Sequence, residues 1–363
     1  MAEIDAAEID PGPAARPSDE AAETHRKAMR IWLAVSGVFV LGMTLAWPMA
    51  AIGAIFAGLL VQGRRPLPMK QGIGAILIAI IAMVANWYVS QFLLTYPTLF
   101  AIGVSVAMYA LFRSAARGAP PAIVILITLA LLLQPVLIRM SSDLAALAAT
   151  WLPANLAIGV FASWVVFTLI PPRLDAPAKV KPGIVLDADR QASRMTLVAV
   201  PFALVFFSLN WGAVITLIFV ALLTQQLCAS TEAAGKASKG LLLANVAGGV
   251  VAMLAFEFLV MAPFYPFMVV LCLTLIGVFS AAMTSGAAWA PLAGTAMNAM
   301  LVLLGGAMAP LDDSVASSLG DRLVQIAMAV AYILIAFNIV DTYLPKRPLS
   351  HSETGDDPAR PTE

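Results

Sequence analysis

"RIWLAVSGVFVLGMTLAWPMAAIGAIFAGLLVQ", residues 30–62, opens on an arginine, ends on a glutamine and carries no charge between them. It is too long for one crossing of a bilayer, whose hydrocarbon core is satisfied by about 20 apolar residues. Trp47-Pro48 interrupts it near the middle. The stretch therefore reads as two helices, near 31–47 and 49–62, joined by a turn with no room for a loop. The second is short for a full crossing.

Similar runs recur along the 363-residue chain, which is 61% hydrophobic and 12% charged with a mean hydropathy of +0.90. Soluble domains carry roughly a quarter charged residues, so this chain lacks the polar surface a water-soluble fold needs. Between Pro, Gly and charge breaks, six spans fall in the first half, near 31–47, 49–62, 72–95, 97–112, 119–138 and 151–170. Six more fall near 195–210, 212–228, 240–262, 264–283, 287–308 and 322–343. The fold class is an all-α polytopic membrane protein of about 12 transmembrane helices.

Charge tests the count. With the amino terminus in the cytoplasm, every Lys and Arg except Arg139 and Arg322 falls on the cytoplasmic side, as the positive-inside rule requires. Both termini are then cytoplasmic. Residues 1–29 are acidic and Ala/Pro-rich and read as a disordered tail, as do residues 348–363. The start lacks the features of a cleaved secretory signal, so the first helix is expected to stay as an anchor.

Sliding the chain by 164 residues sets residues 30–62 on "RMTLVAVPFALVFFSLNWGAVITLIFVALLTQQ", residues 194–226. Arg30 meets Arg194, Trp47 meets Trp211 and Gln62 meets Gln226. Further on, Tyr96-Pro97 meets Tyr265-Pro266, Pro120 meets Pro291 and Pro172 meets Pro345, at offsets that only grow. The division expected is a first six-helix unit over 30–173, a cytoplasmic linker over 174–193 and a second unit over 194–347. An even number of spans makes the two units parallel repeats, related by a pseudo-twofold along the membrane normal.

Several classes fall away. The formal net charge is zero with no basic block, against a nucleic-acid partner. His25 and His351 lie in the tails, and Cys228 and Cys272 make no ligand spacing, so neither metal nor cofactor is expected. No nucleotide loop, dinucleotide fingerprint or catalytic elbow occurs, so the chain is not read as an enzyme or an ATP-driven pump.

The paired short helices ending in Gln62 and Gln226, the basic "VQGRRPLP" loop and the duplicated six-helix unit resemble the fusaric-acid-resistance and aromatic-acid-exporter family of bacterial inner-membrane proteins. The likeness covers about residues 28–347 and is closest to a compact branch of membrane domains of unknown function. It implies export of small aromatic, weakly acidic or hydrophobic compounds by an ion gradient, from the inner membrane, with a periplasmic membrane-fusion adaptor as partner. An oligomer is compatible with it. Larger members place a sizeable cytoplasmic domain after the membrane helices, whereas residues 171–194 are too few for one.

Glu257, in "AMLAFEFLVMAPFYP" (252–266), is the one acidic residue well inside a predicted span. It lies roughly 26 Å along the helix from Gly240, toward the outer leaflet. Two readings compete. It is a proton-coupling carboxylate facing an outward cavity, or an interfacial glutamate that pairs with Arg322 or Arg139. Gln62, Gln226, Trp47, Trp211 and Asn245 are the substrate-path candidates. The Trp pair also suits an interfacial anchor, and Asn86, Gln91, Gln134, Asn155, Asn298 and Asn338 suit hydrogen bonds between helices. Two alternatives stand beside the exporter. An organic-anion channel is disfavoured by the lack of basic residues inside the predicted spans, and a major-facilitator-type transporter by the lack of an acid in "VQGRRPLPMKQG".

Overall fold

In the computed structural model, described for residues 17–63, 65–119, 121–172, 188–208, 234–308 and scattered positions from 328 to 342, every regular element is an α-helix. These are α1 (Pro17–Thr44), α2 (Ala50–Val61), α3 (Met69–Leu93), α4 (Pro97–Ala116), α5 (Pro121–Met140), α6 (Ser142–Leu169), α7 (Ala188–Ser208), α8 (Ala234–Met261), α9 (Tyr265–Met283) and α10 (Ala290–Met308). Seven of them (α1, α3, α4, α6, α8, α9 and α10) include stretches long and apolar enough to cross a membrane. This is the make-up of a multi-pass membrane protein.

Two boundaries correct the expectation. Helix α1 starts at Pro17, so residues 17–29 are helical rather than a disordered tail. A proline fits a first turn because its φ is preset and its missing N–H would find no partner there. Helix α7 likewise starts at Ala188, inside the stretch expected to be linker.

The turn between α1 and α2 is as tight as expected. It closes through Trp47 N–H to Gly42 O (2.9 Å) and Leu45 N–H to Leu41 O (2.9 Å). Ala46 (φ 49°) and Met49 (φ 58°) both adopt left-handed backbone, at a cost of roughly 1–2 kcal/mol per non-glycine residue. Asn155 of α6 secures the turn, donating Nδ2 to Pro48 O (3.1 Å).

The α1–α2 hairpin sits at the centre of the packing. Ile31, Val35, Phe39, Ala54, Ala57 and Met300 belong to one buried cluster that also draws on α6, α8 and α9. Small residues set the crossings. A Cβ at Gly159 of α6 would sit 2.9 Å from Ala57 N, and one at Gly248 of α8 would collide with the Ala296 carbonyl of α10. Helix α1 packs on α9, α4 on α7, α3 on α5, and α8 on α10. Tyr332 donates its hydroxyl to Val198 O of α7 (2.9 Å).

Candidate functional site

Among the described residues, those singled out in the sequence do not converge. Trp47 is half-buried in the turn, and Gln62 caps α2 with its N–H on Gly58 O (3.2 Å), at the far end of that helix. Asn245 is buried on α8 near the Gly248 crossing. Trp211, Gln226, Asn338 and Arg322 lie outside the described residues. Glu257 is exposed, on a stripe of α8 shared with Val250, Leu254, Phe258 and Met261. Arg139, one of its two suggested partners, donates to Phe207 O at the end of α7 (2.7 Å).

Several amides join helices. Asn86 of α3 donates to Ala130 O of α5 (2.5 Å), and Gln134 of α5 to Ala145 O of α6 (3.3 Å). Each pays for its burial with a bond to another helix, a common arrangement in apolar packing.

The densest buried charge lies where the sequence reading saw only cytoplasmic loop charge. Arg30 is 1% exposed and Glu23 is 9% exposed. They stand seven positions apart on α1, two turns along one face. Arg30 Nη2 donates to Glu23 Oε1 at 2.5 Å. The guanidinium also lies over the Phe167 ring of α6, with Cζ 5.0 Å from its centroid. Arg30 Nε and Nη1 find no hydrogen-bond partner among the described residues. Arg26, one turn earlier, donates Nη1 to Pro171 O (2.9 Å) and ties α1 to the end of α6. Arg30 is roughly 21 Å along the helix from Thr44, within a hydrocarbon thickness of about 30 Å.

The sequence held a signal for this cluster. Glu23, Arg26, Ala28 and Arg30 recur as Asp187, Arg190, Ala192 and Arg194 at the same 164-residue spacing. Arg194 is 4% exposed, and Arg190 Nε is a third buried guanidinium nitrogen with no hydrogen-bond partner among the described residues. Helices α1 and α7 thus each bury an arginine, Arg30 midway along α1 and Arg194 in the first half of α7. The predicted spans begin one residue after each arginine, at 31 and 195, and the observed helices start further back, so Arg30 and Arg194 lie within α1 and α7.

A third basic group is more open. Arg113, in the last turn of α4, grips Asp189, in the first turn of α7, through Nε to Oδ1 (2.5 Å) and Nη2 to Oδ2 (3.0 Å). Each charge sits at the helix end whose dipole favours it. Hydrogen bonding from Arg113 holds the Asp189 carboxyl below the usual carboxylate range. Arg113 and Arg117 also line a shallow groove of about 600 Å³ with Tyr109 and Ser114. Among the described residues, no three of His, Cys, Asp and Glu gather as metal ligands would.

Comparison with family models, with curated proteins and with solved structures gave no match.

Proposed function

We propose that this chain is a secondary exporter of small aromatic or weakly acidic compounds, of the fusaric-acid-resistance type. In this reading it has twelve spans in two parallel six-helix repeats, sits in a bacterial inner membrane with both termini cytoplasmic, and works beside a periplasmic adaptor. The observation that carries the reading is reciprocal pairing. Counted in the proposed repeats, α1 is the first helix of one half and packs on α9, the fourth of the other. Helix α7 is the first of the second half and packs on α4, the fourth of the first. Third packs on fifth in both halves, as α3 on α5 and α8 on α10. A twofold axis along the membrane normal yields this pattern, and transporters built from parallel repeats place their sites at the repeat interface. Buried arginines on both first helices support a pathway for anions, since intramembrane charge is expensive and usually functional.

The test is efflux of labelled aromatic acids from cells expressing the chain, with and without a proton gradient. Gradient-dependent efflux is expected, and it should survive Glu257→Gln because the carboxylate stands on an exposed stripe. No efflux of any compound, with a candidate adaptor present, overturns the exporter.

An organic-anion channel is the second reading, and Arg30 within the helical bundle favours it. Current through planar bilayers under voltage alone, without a proton gradient, would decide for the channel.

A further inference from the structure

A buried guanidinium offers five N–H donors in a rigid plane. Arg30 places one of them on Glu23, and its Nε and Nη1 meet no partner among the described residues. Buried polar groups are nearly always bonded, so two unmet donors on one 1%-exposed cation require an explanation. Among the described residues, packing does not supply one. Phe167 covers the face of the guanidinium, not its edge, and Ile31, Val35 and Val166 in the adjoining cluster carry no acceptor side chain. A buried hydroxyl without a partner among the described residues, Ser163 Oγ, stands one turn from Phe167 on α6.

We propose that Arg30 is the anchor for a small, largely apolar monocarboxylate, and that Glu23 is the internal carboxylate such a ligand displaces. The proposal deepens the exporter reading and rests on it for direction, with the anion arriving from the cytoplasm. The single charge of the guanidinium gives the displacement. A carboxylate binds arginine best as a fork, on two N–H groups of one edge. The side edge consists of Nε and Nη2, and the end edge of Nη1 and Nη2. Both run through Nη2, the nitrogen that Glu23 holds. Nη2 carries two N–H groups, one on each edge, so Glu23 occupies one edge and leaves the other fork open. Ligand and Glu23 therefore compete for the single positive charge rather than for a donor. A monocarboxylate fits because one positive charge is on offer. An apolar body fits because the surroundings are Phe, Ile and Val.

The full-length chain in lipid nanodiscs is titrated with radiolabelled benzoate. Neutral benzamide and inorganic phosphate serve as competitors, with Glu23→Gln and Arg30→Lys alongside. The expected result is saturable benzoate binding that benzamide does not displace. Glu23→Gln should tighten it by about tenfold or more, since a charged competitor is removed. Arg30→Lys should weaken it by about tenfold or more, since an ammonium keeps the charge and loses the fork. Benzoate binding that benzamide displaces equally overturns the proposal, as does binding that Glu23→Gln leaves unchanged or weakens. If phosphate alone binds, the site belongs to a phosphate-bearing headgroup and the carboxylate assignment falls. Should Arg30→Lys misfold, the sign of the Glu23→Gln effect still decides. The two readings fail separately. Saturable benzoate binding without efflux removes the exporter and leaves the site. Efflux of aromatic acids that Arg30→Lys does not slow removes the site and leaves the exporter.

Discussion

Helix α1 lies on α9 and helix α7 lies on α4, and the two pairs are joined by different chemistry. Across the first, Trp32 donates its indole N–H to Leu273 O (2.8 Å), with Gly277 one turn on making room for the ring. Thr44 and Tyr265 share a hydroxyl bond at the end (2.8 Å). Across the second, Phe100 meets Phe207 edge to face at 5.0 Å, and the half-exposed Arg113–Asp189 fork closes the other end. The first pair is fastened by neutral groups, one bond part-buried and the other exposed at the end. The second is fastened by buried aromatic rings and, at its rim, by charges that salt and acid reach. Similar placement of helices thus rests on interactions with different sensitivities.

The largest test of the contrast is Arg30→Met. Removing the guanidinium that Glu23 Oε1 holds should cost about 3–5 kcal/mol. Pairing it with Glu23→Leu should recover most of that loss. Chemical unfolding in detergent of both single variants and the double gives the coupling. Equal losses in the single and double variants would show that the pair contributes packing alone.

Next in size is the α8–α10 crossing. Gly248→Ala must push the Ala296 carbonyl aside and should cost about 1–3 kcal/mol. Gly74→Ala on α3, where a Cβ meets nothing within 4 Å, should gain up to about 1 kcal/mol of helix propensity. The same unfolding assay should separate the two in sign.

Smaller again are Trp32→Phe and Tyr332→Phe, each removing one donor to a backbone carbonyl, Leu273 O or Val198 O. A loss of about 0.5–1.5 kcal/mol is expected from each. Neither loss should change between low and high salt, because neither donor is charged.

The smallest effect belongs to Asp189→Asn. Its carboxyl is held low in the folded protein, so its contribution is present above the ordinary carboxylate range, near pH 4. That contribution is lost as pH falls through the lowered value. Melting temperatures of wild type and Asp189→Asn should differ slightly at pH 7 in low salt. They should converge in high salt, and again in acid below about pH 4. A difference that survives acid would mean that Asp189 acts through something other than its charge.

Much of the helical layout was legible because hydropathy and proline mark where chains turn. Pro97 opens α4 within the first turn, and the Trp47-Pro48 hairpin is where its letters place it. The ends of α1 and α7 were not legible, since hydropathy reports where burial becomes costly and not where backbone hydrogen bonding stops. Glu, Ala, Arg and Lys are good helix formers, so both helices continue past their apolar limits. Pro153 likewise falls inside α6, which starts at Ser142 rather than near 151. The site was harder. Glu23 and Arg30 share a helix face in the sequence, but their burial depends on Phe167 and Pro171, from a distant helix. Glu257 is the opposite case. Its chemistry drew attention, but the direction it faces depends on how α8 packs against α10.

Helix α2 holds one more consequence. Its 12 residues reach about 18 Å, well short of the roughly 30 Å that lipid tails fill. The irregular run from Gln62 to Pro68 must complete the distance to α3, and one of its carbonyls, Leu67 O, is already met by Trp164 Nε1 (2.8 Å). Unbonded backbone does not persist against hydrocarbon, so water or thinned lipid must reach this segment. The protein should therefore sense bilayer thickness. Lipids with short acyl chains should suit it better than long ones, and a thick, stiff membrane should strain the α2–α3 connection before any other part.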